Sequence, residues 1–166
     1  QDTFELSPYF TDLKGYIPVT KDIVQQMSGK CFYTRLDMVD CFHQFSVNKD
    51  LTSLYAFSTL WGPYEWCDVL PQGEKKIPVF VNNQMHAILY SVNEFANSYF
   101  DDIHIFSDNW TDHLNHVKTV CNILAEANVK CSIKKIKAGF SEMDSIGFTF
   151  NKDGYKPIDA QIDKFL

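Results

Sequence analysis

Apolar positions recur along this chain with two different periods, and the switching between them predicts a mixed fold. From Asp22 to Met27 the stretch DIVQQM suits a short helix closed by Ser28-Gly29. CFYTRLDM is rich in aromatic and apolar residues and predicts a strand ending near Asp37. Short strands are expected at Leu54–Ser58 and Tyr64–Leu70, separated by the turn-prone Trp61-Gly62-Pro63. Pro78 suits the first turn of a helix reaching Ser91, in which Val81, Met85, Ile88 and Val92 form a core stripe. EFANSYFDDIHIFSD alternates apolar and polar residues on both sides of Phe100-Asp101, which predicts a hairpin with an acidic tip. A second amphipathic helix is expected from Thr111 to Ala127, with Leu114, Val117, Cys121 and Leu124 on one face. Strands near Val129–Ile133 and Ser145–Phe150 precede a turn at Asn151-Lys152-Asp153-Gly154. Helices and strands mix without strict alternation, so the fold class expected is α+β. No repeat, low-complexity tract or Gly/Ser linker divides the chain.

Composition narrows the picture. The 166 residues are enough to bury a real core, and 45% hydrophobic against 22% charged residues excludes a disordered chain. No apolar run approaches the roughly 20 residues that span a bilayer, so no membrane partner is expected. The first residues, QDTFELSPYF, show no basic leader followed by an apolar stretch, and no signal peptide is expected. Cys31, Cys41, Cys67, Cys121 and Cys131 are odd in number and contain no C-x-x-C pair. That argues for reduced thiols in an intracellular setting and against a zinc site or a disulfide framework. The net charge of −6 by itself counts against a nucleic-acid partner, although a carboxylate cluster would contribute to it.

Three carboxylates stand out. Asp101-Asp102 sit at the centre of an apolar hairpin, where adjacent acids are costly unless something positive compensates them. Asp37 repeats the pattern at the end of another strand. A solvated turn explains either feature alone; together they can converge if the two strands lie side by side. Phosphoryl-transfer enzymes need such a cluster, because paired Mg²⁺ ions about 3.5–4 Å apart stabilise both the attacking and the leaving oxygens. His113 and His116, beside Asp112, could suggest a separate metal pair, but no third or fourth ligand accompanies them.

At this point the residues resemble a family. Tyr99-Phe100-Asp101-Asp102 is similar to the Y-x-D-D box of reverse transcriptases, and Asp37 in TRLDM resembles their earlier acid. Leu70-Pro71-Gln72-Gly73 followed by Pro78-Val79-Phe80 resembles the L-P-Q-G…P-x-F segment of retroviral and retrotransposon enzymes. His43-Gln44 is similar to the Y-H-Q of gypsy-type elements, Ala56-Phe57-Ser58-Thr59 to their T-A-F-S-T, and Tyr64-Glu65-Trp66 to their Y-E-F/W. His113-Leu114-Asn115-His116-Val117 resembles their H-L-x-H-L helix start, and Ile146-Gly147-Phe148 their L-G-H. The likeness runs from about Tyr16 to Leu166.

The resemblance implies a polymerase palm, an antiparallel sheet backed by helices, with part of the fingers. Residues 1–166 would then be a partial reverse transcriptase domain without thumb or RNase H, from a polyprotein that also carries RNase H and integrase. It implies that Asp37 and Asp101 ligate Mg²⁺ (or Mn²⁺), that Asp102 supports them, and that the Met38 carbonyl completes a metal shell. Backbone amides of Asp40 and Cys41 would meet the incoming dNTP. Phe42 would be the steric gate that collides with a 2′-hydroxyl, which disfavours an RNA polymerase. Gln72 would touch the nucleotide and Gly73 the template. Tyr99, Ile146, Gly147 and Phe148 would contact an RNA or DNA template-primer. The alternative is a catalytically silent polymerase-like domain retained as a binding or structural module; the acidic balance and the unusual Glu74-Lys75-Lys76-Ile77 segment motivate it.

Overall fold

A computed structural model of the protein describes residues 20–46, 55–65, 69–70 and 77–158. Among them, helices and antiparallel strands combine as expected for an α+β fold. The central element is a four-stranded sheet in the order β4-β5-β1-β6, made of Ala96–Tyr99 (β4), Asp102–Ser107 (β5), Phe32–Asp37 (β1) and Lys137–Phe140 (β6). β1 and β5 pair antiparallel in a register that sets Tyr33 against Phe106, Arg35 against His104 and Asp37 against Asp102. Because side chains alternate along a strand, those six share one face of the sheet, and Thr34, Leu36, Ile103 and Ile105 share the other.

Each face has its own core. Leu36, Ile103 and Ile105 pack against α2 (Ile77–Leu89) and α3 (Trp110–Glu126), through Ile77, Val81, Met85, Leu89, Val120 and Leu124. Tyr33 and Phe106, on the opposite face, pack against Ile23, Val24 and Met27 of α1 (Thr20–Met27). Met143 and Phe150 complete that cluster from a three-stranded sheet of β7 (Met143–Ser145), β8 (Phe148–Asn151) and β9 (Gly154–Pro157). Among the described residues no helix is long and apolar enough to cross a membrane.

α3 carries clear stop and start chemistry. Asn109 caps its N-terminus by accepting from the Asp112 amide at 2.9 Å. At the other end Asn128 takes a left-handed φ of 56°, its amide bonds Ala125 at 3.0 Å, and the Val129 amide bonds Leu124 at 2.8 Å. These two bonds satisfy carbonyls that a helix end otherwise leaves open.

Several elements depart from the sequence expectation. The buried face of α3 is His113, Val120 and Leu124 with Val117 packed beside them, while Leu114 and Cys121 are exposed. The face is rotated because His113 buries its ring by bonding Thr34 Oγ1 at 2.8 Å and Ser107 Oγ at 2.9 Å. Residues 129–133 form no strand. Cys131 makes only a bridge to Met38, and Ile133–Lys135 turns into a short 3-10 helix. The strand expected over Ser145–Phe150 is broken by a turn at Ile146-Gly147, so Ser145 ends β7 and Phe148 begins β8. Further upstream, β2 (Phe57–Thr59) and β3 (Gly62–Tyr64) hold a hairpin whose tip is Leu60-Trp61, placing Pro63 inside a strand. A two-stranded ribbon tolerates that proline, because its missing N–H can face outward. Leu54 and residues 66–68 lie outside the described residues.

Candidate active site

Asp37 is the last residue of β1, and the chain turns away immediately after it. The Met38 amide donates to the Asp101 carbonyl at 2.8 Å, and Asp40 takes a left-handed φ of 44° to start the 3-10 turn Cys41–Gln44. Across the sheet, Asp102 opens β5 directly opposite Asp37. Asp101 occupies the two-residue hairpin tip between Tyr99 and Asp102. The other tip residue, Phe100, has a φ of 53°, where glycine is the usual occupant and a bulky side chain costs roughly 1–2 kcal/mol. Its amide is held by Asn82 Oδ1 of α2 at 3.2 Å, and Asn82 is itself buried. The strain is thus fixed from below, and it sets the direction in which Asp101 leaves the sheet.

Arrayed this way, the acids repel one another. Burial raises the pKa of Asp102, Arg35 opposes the rise, and the charges of Asp37 and Asp101 add to it. Arg35 Nε lies 3.6 Å from Asp102 Oδ1, an ion pair without a hydrogen bond. Lys135 Nζ reaches both oxygens of Asp37, at 3.0 and 3.3 Å. Cys41 is buried; desolvation first, then the charge of Asp101 and a hydrogen bond to it, push its thiol far up. It therefore stays protonated and donates to the Asp101 carboxylate.

The structure brings Asp37 and Asp102 together as cross-strand partners and sets Asp101 beside them through the Met38 bond. It does not draw the three side chains into a closed ligand cage: among the described residues no three His, Cys, Asp or Glu groups converge on one point. The donor set still fits a hard divalent cation, since it offers carboxylate oxygens in charge excess. Phe42 is half-buried, its ring packed against the larger core. Tyr99 pairs with Asp102 in the hairpin and stacks edge-on to Phe100 at 4.7 Å. Ile146 and Gly147, with φ of 53° and 81°, make the tight turn before Phe148, which meets Tyr155 edge-on at 5.5 Å. Gln72 and Gly73 lie outside the described residues. His113 and His116 both turn to Ser107 Oγ, at 2.9 and 2.8 Å, and form a buried polar network rather than a metal pair.

Sequence reasoning missed four side chains of this region. Lys135 and Arg35 supply its positive charge, and Asn82 holds the hairpin tip. Gln44 stitches the 3-10 turn to a distant segment: its amide nitrogen donates to the carbonyls of Val39 and Lys130, and its oxygen accepts from the Lys130 amide at 2.6 Å. The only signal for Gln44 was its place in the His43-Gln44 pair; the others are set by tertiary contact.

The chain is similar to known proteins in sequence and in fold. Residues 2–150 match the family model described as reverse transcriptase (RNA-dependent DNA polymerase). The chain is 35% identical over 143 residues to the retrovirus-related Pol polyprotein from transposon 297 of Drosophila melanogaster, covering 85% of this chain and 13% of the relative. It is 29% identical to the corresponding polyprotein from transposon gypsy of the same organism, over 84% of this chain and 14% of the relative. The Transposon Tf2-3 polyprotein of Schizosaccharomyces pombe is 28% identical, over 90% of this chain and 11% of its own length. The chain thus spans a small fraction of each of these relatives. Among solved structures, a foamy viral protease-reverse transcriptase in complex with RNA/DNA hybrid superposes with a TM-score of 0.88 at 21% identity. That match covers 98% of this chain and 22% of the other.

Proposed function

This chain belongs to the reverse transcriptase family, and from that premise we propose that it is the palm, with part of the fingers, of an RNA-directed DNA polymerase. The polymerase extends a primer 3′ end on an RNA or DNA template, and its context is a retroelement polyprotein that also carries RNase H and integrase. A cytoplasmic particle or the nucleus is the setting that goes with it. The observation that carries this reading is the cross-strand pairing of Asp37 with Asp102, with Asp101 tied beside them by the Met38 amide.

In this proposal Asp37 and Asp101 hold Mg²⁺ or Mn²⁺, Asp102 supports the cluster, and the Met38 carbonyl adds a neutral oxygen. Bound divalent cations supply the charge neutralisation that in-line attack of a 3′-hydroxyl on an α-phosphate requires. The rest falls to the protein, chiefly as positioning. The amides of Asp40 and Cys41 face the triphosphate of the dNTP, with Gln72 beside it. The Cys41 thiol keeps Asp101 aimed. Phe42, immobilised against the core, is a rigid wall under the sugar that rejects a 2′-hydroxyl. Gly73 and Tyr99 meet the template-primer, and the turn at Ile146, Gly147 and Phe148 supports the primer end.

Primer extension by the parent polypeptide, supplied with dNTPs and Mg²⁺ or Mn²⁺, tests the proposal. Asp101→Asn should abolish extension while leaving the fold intact, because the replaced side chain is exposed. Extension at the unchanged rate would end it. The alternative, a silent polymerase fold kept as a binding module, rests on the net charge of −6 and predicts no extension by either protein.

A further inference from the structure

We propose that Lys135 is a built-in counter-cation for Asp37, and that it sets the divalent-cation concentration at which the acidic site fills. The inference rests on the polymerase reading and adds a residue to it.

Three carboxylates crowd the ends of β1 and β5, and burial and mutual repulsion already raise the pKa of Asp102. Among the described residues two cations face them, and they are divided. Arg35 lies against Asp102, whereas Lys135 reaches Asp37 with contacts to both oxygens at 3.0 and 3.3 Å. Those oxygens are the ones a divalent cation must take. Binding there displaces the ammonium from its two contacts, so the lysine competes directly and also repels the incoming charge.

Lys135 does not reach Asp37 by chance of a surface rotamer. The Ser132 amide donates to the carbonyl of Asp37 itself at 2.8 Å, and the Lys135 amide closes the 3-10 turn on Ser132 at 3.1 Å. One step upstream, Val39 donates to Lys130 at 3.0 Å and the Gln44 side chain clamps the same carbonyl. The backbone that delivers Lys135 is therefore anchored on the backbone that carries Asp37. The side chains differ in the opposite sense: Asp37 is 19% exposed and fixed, whereas Lys135 is 66% exposed and can swing into solvent. A strongly hydrated ammonium on a flexible stem is suited to leave when a better cation arrives. In the absence of metal, the same contact limits repulsion at the hairpin tip.

The test is a titration of free Mn²⁺, read by electron paramagnetic resonance, on the wild-type chain and three variants. Lys135→Met keeps the stem and removes the charge; it should tighten Mn²⁺ binding about two- to fivefold, the range set by an exposed ion pair. Lys135→Arg keeps the charge and should leave affinity near that of the wild type. Asp37→Asn should lose the binding. If Lys135→Met binds Mn²⁺ no more tightly than wild type while Asp37→Asn loses it, the counter-cation role is overturned and the polymerase reading stands. Equal tightening by Met and Arg also overturns it, because shape rather than charge would then be the cause. Binding that survives Asp37→Asn unchanged overturns both.

Discussion

His104 is fully buried in β5, facing β7 of the three-stranded sheet through Ser145. Its Nδ1 lies 3.1 Å from Asn97 Oδ1 and its Nε2 lies 2.7 Å from Ser145 Oγ. Asn97 donates its amide nitrogen to Gln26 Oε1 at 3.1 Å, so its oxygen faces the imidazole. The ring therefore donates from Nδ1 and accepts the Ser145 hydroxyl at Nε2. Burial, and then the charge of Arg35, lower the pKa of His104 from 6.5 to about 3. Between those values the unfolded chain takes up a proton here and the folded chain does not. The contribution to stability is complete above the unfolded pKa, falls as pH drops through it, and levels off only below the folded value. From about pH 7 to about pH 5 the loss is about 2 kcal/mol. Urea unfolding of the wild type and of His104→Gln at both pH values measures it, since the other titrating groups are common to both proteins. The wild type should lose about 2 kcal/mol more than the variant over that interval. Parallel pH profiles would refute the assignment of a neutral, excluded imidazole.

Two further perturbations test packing near the site. Asn82→Leu keeps the volume but strips the acceptor from the Phe100 amide; unfolding free energy should drop by about 1–3 kcal/mol, and an unaltered denaturation midpoint would show that the hairpin tip does not depend on this bond. Gly139 has a φ of 72°, and a Cβ there would stand 2.9 Å from the Trp110 ring. Gly139→Ala should therefore destabilise by about 1–2 kcal/mol, together with a shift in Trp110 fluorescence; a wild-type melting curve would contradict this.

Much of the fold was legible because the pattern and the burial coincide. The alternation around Phe100-Asp101 predicted β4, the tip and β5, and the stripe Val81, Met85, Val92 lies in the core. The α+β class and the family resemblance follow from such local signals. Reading failed where polarity and burial part company. His113 looks like a surface residue, yet it is 1% exposed because Thr34 and Ser107 satisfy its ring; with it on the buried face, Leu114 and Cys121 turn outward while Val117 and Leu124 stay against the core. β6, with its sequence KAGF, has no period to read; it exists because β1 offers a free edge. At the site, the acids stand in recognisable motifs, but their counter-charges do not. Lys135 is 98 residues from Asp37, and the bridge between Met38 and Cys131, with the Gln44 clamp on Lys130, brings its turn alongside.

The strand pair that carries Asp37 and Asp102 is covered from both sides, by the helices on one face and by α1 with the small sheet on the other. Opening it requires both packed layers to come apart, and that packing resists local opening. A load on the outlying hairpins then leaves the spacing between the two aspartates unchanged. A chain built in this way separates outer parts that can yield from a part that stays still beneath them.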